Sequence, residues 1–301
     1  MDLAALRTFC RAVETGSLTR AAHSLHVTKS VASRRLSALE NELGARLVQR
    51  TTRGITPTDE GVRFYERCQT ILDDLDDAAQ MLRPHSGGLA GRLRLTAPRA
   101  FGDLHLTAPL GAFMTAHPHI TLECRLTDER VDITGGGYDL GLRIVAQPDD
   151  SSLSARALGD ISYAAVASPA YLARFGTPET PADLAAHRCI FYANMAASQQ
   201  WQFRTGAGLE KVRVSGPLTT NSGIFQRNAC LDGLGIAVLP RFFVADGLAS
   251  GALTEILQDT PRPPATLYAL YPEKRLLSAK VRALIDHLAA WFQDPAHRRN
   301  L

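Results

Sequence analysis

Residues 17–61 read SLTRAAHSLHVTKSVASRRLSALENELGARLVQRTTRGITPTDEG. Just upstream, Leu3, Leu6, Phe9, Cys10 and Val13 recur at helical spacing. Gly16 stops that helix and Ser17 can cap the next. The second helix is LTRAAHSL, residues 18–25, whose Ala21–Ala22 pair is small enough for another helix to cross closely. His26, Val27 and Thr28 make a tight connection. Thr28 caps a third helix, which runs through Leu36, Leu39 and Leu43 and stops at Gly44. Two short helices joined by a three-residue turn make a helix-turn-helix, with the later helix as reader.

Val31, Leu36 and Leu39 are expected to anchor the reader. Lys29, Ser30, Ser33 and Arg34 then lie on its open side near Thr28, at an amino end whose free N–H groups suit phosphate. Serine hydroxyls donate or accept, and arginine can bridge guanine O6 and N7. Arg35 meets phosphate or solvent. After Gly44, Leu47, Val48 and Ile55 fit two short strands around RTTRG, a wing with Arg50 and Arg53 at its tip. Arginines there can enter a narrow minor groove or touch phosphate. A basic helix alone is usually a solvated face. Scaffold, turn, reader and wing together point to double-stranded DNA. Charge agrees: residues 17–56 carry a net +5 within a chain of +3, leaving −2 elsewhere.

Thr56, Pro57, Thr58 and Asp59 fit a cap, a proline at the first helical position and a carboxylate three residues after the cap. The helix they open is expected to reach about Leu82. Its apolar positions Tyr65, Cys68, Leu72, Leu75, Ala79 and Leu82 follow a seven-residue repeat beside Asp73, Asp74, Asp76 and Asp77. That pattern favours a partner helix, hence a homodimer presenting two readers to a two-fold-related site. Pro84 ends the helix, and residues 85–91, HSGGLAG, read as a hinge.

At 301 residues and 45% apolar content the chain can bury a sizeable core. No run of about 18 apolar residues predicts a membrane span. The start, MDLAALRTFC, does not read as a secretory signal, so a cytoplasmic location is expected. The five cysteines, Cys10, Cys68, Cys124, Cys189 and Cys230, are far apart and form no CxxC, which suits buried thiols in a reducing compartment. A redox pair of Cys189 with Cys230 is the alternative. No metal-ligand spacing, P-loop, GxSxG or HExxH is present, so neither a cofactor nor catalysis is expected.

From Arg92 strands and helices alternate. RLRLTA (92–97), ITLECRLTD (120–128), DLGLRI (139–144), SYAAVAS (162–168), KVRVSGPLTT (211–220), GIAVLP (235–240) and TLYALYP (266–272) read as strands. Residues 103–117 read as a helix despite Pro109. PAYLARFG and the segment after Ser222 open further helices. Leu276 to Phe292 is the last long one, with Val281, Leu284, Leu288 and Trp291 on one face. Such alternation implies an open α/β sheet that binds ligands beyond the carboxyl ends of its strands. Two loops before helices stand out there, Ala97–Gly102 and Thr220–Gly223.

The AA pair, VASRRLSALExELGxxLxxRTTRG and the TPTxEG exit resemble the winged helix-turn-helix of the LysR-type transcriptional regulators. Lys29 departs from the glutamine usual in that family. Lysine cannot accept, so it favours guanine or phosphate where glutamine reads adenine. FGDLHLTAPLGAF, GYDLGLRI, SPAYLARFGTPETPADLAAH and GLGIAVLPRFFVADGLASGAL resemble the family's effector domain. The resemblance implies an α/β chain with an all-α winged head and a periplasmic-binding-protein-like body of two α/β lobes. The expected division is head 1–58, linker helix 59–84, hinge 85–91 and effector domain 92–301. Lobe 1 would hold about 92–162 and 268–301, and lobe 2 about 163–267.

The resemblance also implies a small-molecule effector between the lobes, near Arg99, Ala100, Phe101, Asp128, Met195, Ser198, Trp201, Phe203, Asn221 and Ser222. Arg99 replaces a small or hydroxyl residue. It can clamp a carboxylate bidentately or pair with an acidic neighbour. A dimer of dimers and RNA polymerase are further expected partners. The competing reading is an enzyme or solute-binding protein carrying an incidental helix-turn-helix.

Overall fold

Three helices and a two-stranded wing build the amino-terminal part of the computed structural model, which describes residues 1–51, 54–81, 88–149, 153–193, 199–273 and 277–298. The chain divides into two compact units, one of Met1–Arg92 with Gly135–Gly137 and one of Leu93–Thr134 with Tyr138–Leu301.

In the first unit, α1 (Leu3–Thr15) ends at Gly16 in the left-handed region, φ 60°. Ser17 caps α2 (Leu18–Ser24), its side chain accepting from the Arg20 N–H. The turn holds one non-glycine residue at positive φ, His26 at 53°. α3 (Lys29–Leu43) starts at Thr28 and stops at Gly44, also left-handed at 63°. Phe9, Ala12, Ala21, Ala32, Leu36 and Leu39 are buried at the centre. Ala32 takes the place expected of Val31, which stays half-exposed. One turn of helix separates Ala32 from Leu36, whereas Val31 is rotated toward the flank.

The wing strands β1 (Val48–Thr51) and β2 (Gly54–Pro57) pair antiparallel, with Arg50 opposite Ile55. Pro57 closes β2, so the proline is not the first helical residue. Thr58 is the cap of α4 (Asp59–Met81), its Oγ1 accepting from the Gly61 N–H at 3.0 Å. Gly61 is obligatory, because a Cβ there would stand 1.9 Å from the Leu47 carbonyl oxygen.

The described strands of the second unit form a five-stranded sheet, a three-stranded sheet, a parallel pair and a hairpin. The first has order β4 (His119–Leu126), β3 (Ala90–Ala97), β5 (Leu140–Val145), β14 (Ala265–Pro272) and β6 (Leu153–Ile161). Strand β3 begins at Ala90, so the expected hinge at 85–91 has its last two residues in a strand; residues 85–87 lie outside the described ones. Strands β3 and β5 are parallel, and β14 runs antiparallel to both β5 and β6.

The second sheet has order β12 (Ala237–Pro240), β7 (Tyr163–Ala167), β13 (Thr254–Ile256), with β8 (Arg188–Tyr192) and β11 (Ser215–Thr220) parallel to each other. A parallel bridge from Cys189 to Ile236 joins the two parts. The expected strand 211–220 is two strands. Gly208–Arg213 is β10 in a hairpin with β9 (Gln200–Thr205), and Ser215–Thr220 is β11. The chain changes sheet between Ile161 and Tyr163, and returns between Ile256 and Ala265. The return lies earlier than the lobe boundary expected at about 267–268.

Both faces of the second sheet are covered, which explains its unbroken apolar runs. Along β7, Ala165 and Ala167 face one core cluster while Ala164 and Val166 face the other. In the first lobe, α5 (Arg99–Phe101) continues through a π-helical stretch, Gly102–Leu106, into α6 (Thr107–Ala116). Pro109 has no N–H for the carbonyl one turn back, and the wider π turn absorbs that loss. After α7 (Pro169–Phe175), α8 (Gly223–Leu231) and α9 (Arg241–Ala249) comes α10 (Ala279–Gln293), which buries Val281, Leu284, Ile285, Leu288 and Phe292. Trp291 is only partly covered; Phe292 takes its place in the core.

Candidate DNA-reading edge and ligand cleft

The amino end of α3 presents one polar edge. Thr28 Oγ1 accepts from the Val31 N–H at 3.4 Å and lies 2.9 Å from Ser30 Oγ. Lys29, Ser30 and Arg34 are exposed, and Ser33 and Arg35 half-exposed. Helical geometry turns Ser30 and Arg34 away from Ala32, Leu36 and Leu39, with Ser33 on the flank and Lys29 exposed in the first turn. The edge is therefore rigid at its base and open at its tip. On the wing, the Arg50 side chain and all of Arg53 lie outside the described residues.

Glu40 fastens wing to reader, a role the sequence reading missed. It is buried on α3, and its Oε1 accepts from the N–H groups of Leu47 at 2.9 Å and Val48 at 3.2 Å. Its signal was available: a carboxylate one turn after Leu36, on the apolar side. The Ile55 N–H donates to the Gly16 carbonyl at 2.9 Å, tying the wing to the end of α1 as well.

The linker-helix residues fall into two sets. Cys68 and Leu72 are buried in the head's own core, and Tyr65 is packed against it. The Tyr65 hydroxyl donates to Glu14 at 3.4 Å. Burial, with the Glu14 charge, pushes the phenol up to about 12. These three are thus corrected from a partner seam to internal packing. Leu75 is exposed, as are Val62 and Ile71. The Ala79 side chain and Leu82 lie outside the described residues.

In the second unit the structure joins Arg99 to Asp128, whose Oδ1 accepts the Arg99 backbone N–H at 3.1 Å. The Arg99 side chain is exposed. Ala100 packs against the second-lobe cluster. Phe101 is buried, its ring 5.9 Å from Phe242 of α9 and 5.7 Å from Phe292 of α10. It is a packing residue where the lobes meet, not a ligand contact. Trp201 and Phe203 are likewise buried in the second-lobe core, with Trp201 edge-on to Phe191 at 6.2 Å. An aromatic pair on an alternating strand points both rings to the same face, and here that face is the core. Asn221 is exposed, and Ser222 caps α8 by accepting from the Phe225 N–H at 3.2 Å. Met195 and Ser198 lie outside the described residues.

Arg143 on β5 was not anticipated. Its Nη1 donates to the Leu142 carbonyl at 2.7 Å, while its buried Nη2 has no hydrogen-bond partner among the described residues. Burial lowers its pKa against the opposing influence of the Asp128 charge.

The thiol expectation holds for four cysteines: Cys10, Cys68, Cys189 and Cys230 are buried, but Cys124 is exposed. Cys189 and Cys230 belong to clusters on opposite faces of the second sheet. Burial pushes each thiol up to about 12. No group of three or more metal-ligating side chains occurs among the described residues, nor does any described helix have the length and apolarity to cross a membrane.

Two family models match the chain. Residues 3–62 match the bacterial regulatory helix-turn-helix protein of the lysR family, and residues 86–293 the LysR substrate binding domain. The HTH-type transcriptional regulator PtxR of Pseudomonas aeruginosa is 36% identical, over 96% of this chain and 92% of its own. An uncharacterised HTH-type transcriptional regulator of Haemophilus influenzae is 37% identical, over 94% of this chain and 98% of its own. Among solved structures, CrgA of Neisseria meningitidis, a LysR-type transcriptional regulator, is 30% identical with a TM-score of 0.61, covering 98% of this chain and 100% of its own. The Vibrio cholerae virulence activator AphB, also 30% identical, has a TM-score of 0.59 and covers 97% and 99%. The chain belongs to the LysR-type transcriptional regulators, with a helix-turn-helix DNA-binding domain followed by a substrate-binding effector domain.

Proposed function

We propose that the chain reads its operator with Lys29, Ser30, Ser33 and Arg34, while Thr28, Arg35 and the wing residues Arg50 and Arg53 hold the phosphate backbone. The observation that carries this reading is the open polar edge at the amino end of α3, backed by the buried stripe of Ala32, Leu36 and Leu39. The regulator works in the cytoplasm as a homodimer or dimer of dimers, without catalysis of its own, and RNA polymerase is a further partner. Its dimer seam runs through Leu75 and the later linker positions Ala79 and Leu82, joined by exposed Ile71, since Cys68 and Leu72 are spent internally.

The effector is a small carboxylate held between the lobes near Arg99, Ala100, Asp128, Asn221 and Ser222, with Met195 and Ser198 on the neighbouring loop. Arg143 strengthens that assignment, because a buried guanidinium nitrogen short of an acceptor suits a carboxylate oxygen. The effector must bind one lobe arrangement better than another to move the heads.

A gel shift against the promoter region upstream of its own gene tests the operator reading. Arg34→Ala should weaken binding by about 1–3 kcal/mol, and wild-type affinity should fall steeply as salt rises. Equal, salt-independent weak binding by both proteins would end it.

A further inference from the structure

The buried thiols of Cys10 and Cys68 meet inside the head's own core. Cys10 sits on α1 and Cys68 on α4, so their contact joins the first helix to the linker helix. The packing around them fixes that approach. Phe9, next to Cys10, has its ring 5.6 Å from Phe64 and 6.4 Å from Tyr65, which stand one turn before Cys68. Glu14, one turn after Cys10, accepts from the Tyr65 hydroxyl and from Gln69 Nε2, each at 3.4 Å. Side chains three or four residues apart share a helix face. Cys10 and Cys68 thus lie between an aromatic contact and a polar one, and the Cys10 S–H donates to the Cys68 sulfur. Sulfurs already in such contact need a shift of only about 2 Å to reach bonding distance. Cys189 and Cys230 lack that approach, since their clusters lie on opposite faces of the second sheet.

Cys10 is 4% exposed and Cys68 1%, so a bulky oxidant is shut out and only one the size of water can reach them. Burial raises a thiol's pKa, but at Cys68 the hydrogen bond from Cys10 outweighs it and the pKa is lowered. Cys68 is accordingly the attacking sulfur. Its thiolate attacks one oxygen of hydrogen peroxide. An S–O bond forms, the O–O bond breaks, and the departing hydroxide takes up the proton that Cys68 released. The Cys10 sulfur then attacks the Cys68 sulfur. The S–S bond forms, the S–O bond breaks, and hydroxide leaves with the Cys10 proton as a second water. Two thiols and one peroxide give one disulfide and two waters, with two electrons passing from sulfur to oxygen.

We propose that Cys10 and Cys68 form an oxidation site for hydrogen peroxide, and that their disulfide lowers operator affinity. The bond closes residues 10–68 into a loop that contains α2, α3 and the wing. It also draws α1 toward α4, the helix that carries the proposed dimer seam. The setting of two joined heads changes with it. This effect on affinity rests on the proposed operator reading; the oxidation itself does not.

The test uses the full chain carrying Cys124→Ser, which removes the exposed thiol. The protein is treated with hydrogen peroxide, its remaining thiols are alkylated in denaturant, and a digest is read by mass spectrometry. The Cys10 peptide should be joined to the Cys68 peptide, with Cys189 and Cys230 alkylated, and dithiothreitol should undo the link. In a gel shift the linked protein should bind the operator at least tenfold more weakly and recover after dithiothreitol. Absence of the Cys10–Cys68 link, or a Cys189–Cys230 link in its place, overturns the proposal. So does a linked protein that binds as tightly as the reduced one. The link is read without DNA, and operator binding of the reduced protein is read without peroxide. Failure of this site is therefore distinguishable from failure of the DNA-reading assignment.

Discussion

The reader edge and the inter-lobe cleft are built in opposite ways. In the head, buried Ala32, Leu36 and Leu39 and exposed Lys29, Ser30 and Arg34 share a single helix, so one periodicity sorts packing from contact. In the body, the candidate residues come from separate strand ends, and pairing decides which way each side chain turns. Phe101, Trp201 and Phe203 turn inward, whereas Arg99 and Asn221 turn out. A contact surface carried on one element survives small shifts as a unit. One assembled from several elements changes when any of them moves, which suits a domain that must respond to a ligand.

Five changes test this contrast. Gly61→Ala should have the largest effect. Its Cβ would stand 1.9 Å from the Leu47 carbonyl oxygen, so the wing or α4 must move. A loss of more than about 4 kcal/mol in head stability is expected in denaturant unfolding, together with loss of operator binding. If operator binding persists at full strength, the wing is not part of the rigid reader.

Trp201→Ala comes next. Removal of a buried ring should cost about 3–5 kcal/mol of effector-domain stability in calorimetry. Asn221→Ala, at an exposed position, should stay within about 0.5 kcal/mol. Equal costs would erase the division between packing and contact residues in the body. Lys29→Gln should then change the preferred base sequence in a selection experiment by about 1–3 kcal/mol at one position. A uniform loss across all sequences would make Lys29 a phosphate contact instead.

The smallest effect concerns the buried thiols. Cys189 and Cys230 keep their protons up to about 12 when folded, against 9.0 for a free thiol. The folded state thus holds more protons than the unfolded state above pH 9, so this contribution to stability is complete below about pH 9 and fades as pH rises toward 12. Thermal unfolding should show the decline, and Cys189→Ala should flatten it. At pH 8 a thiol reagent should label Cys124 first.

The head was largely legible in the sequence because its stops and caps are local. Gly16, Ser17, Thr28 and Gly44 each do their work within a few residues, and the structure finds all four in those roles. Two errors there had one cause. Thr56 and Val31 fitted the local pattern as well as Thr58 and Ala32 did, and only packing against the wing and α1 separates them. In the body, β6, β8, β9 and β13 passed unread, and 211–220 passed as one strand. The break comes at Val214, whose N–H donates to the Gln199 carbonyl at 2.9 Å. A partner so far back in the chain leaves no local mark. For the same reason Arg143 read as part of a strand, and the crossing at 257–264 was set too late. Heptad spacing on α4 misled differently, because the repeat describes a buried stripe equally well whether the cover is a partner helix or α1.

Glu40 has a consequence for how operators can vary. By holding the start of β1 to α3 through two N–H groups, it fixes the offset between α3 and the wing. A head locked in this way works as a rigid gauge: on the proposed operator reading, each half-site must present its bases and its adjoining groove at one separation. On that reading, inserted or deleted base pairs are tolerated only between half-sites, where the proposed dimer would set the spacing. Within a half-site the register has no slack.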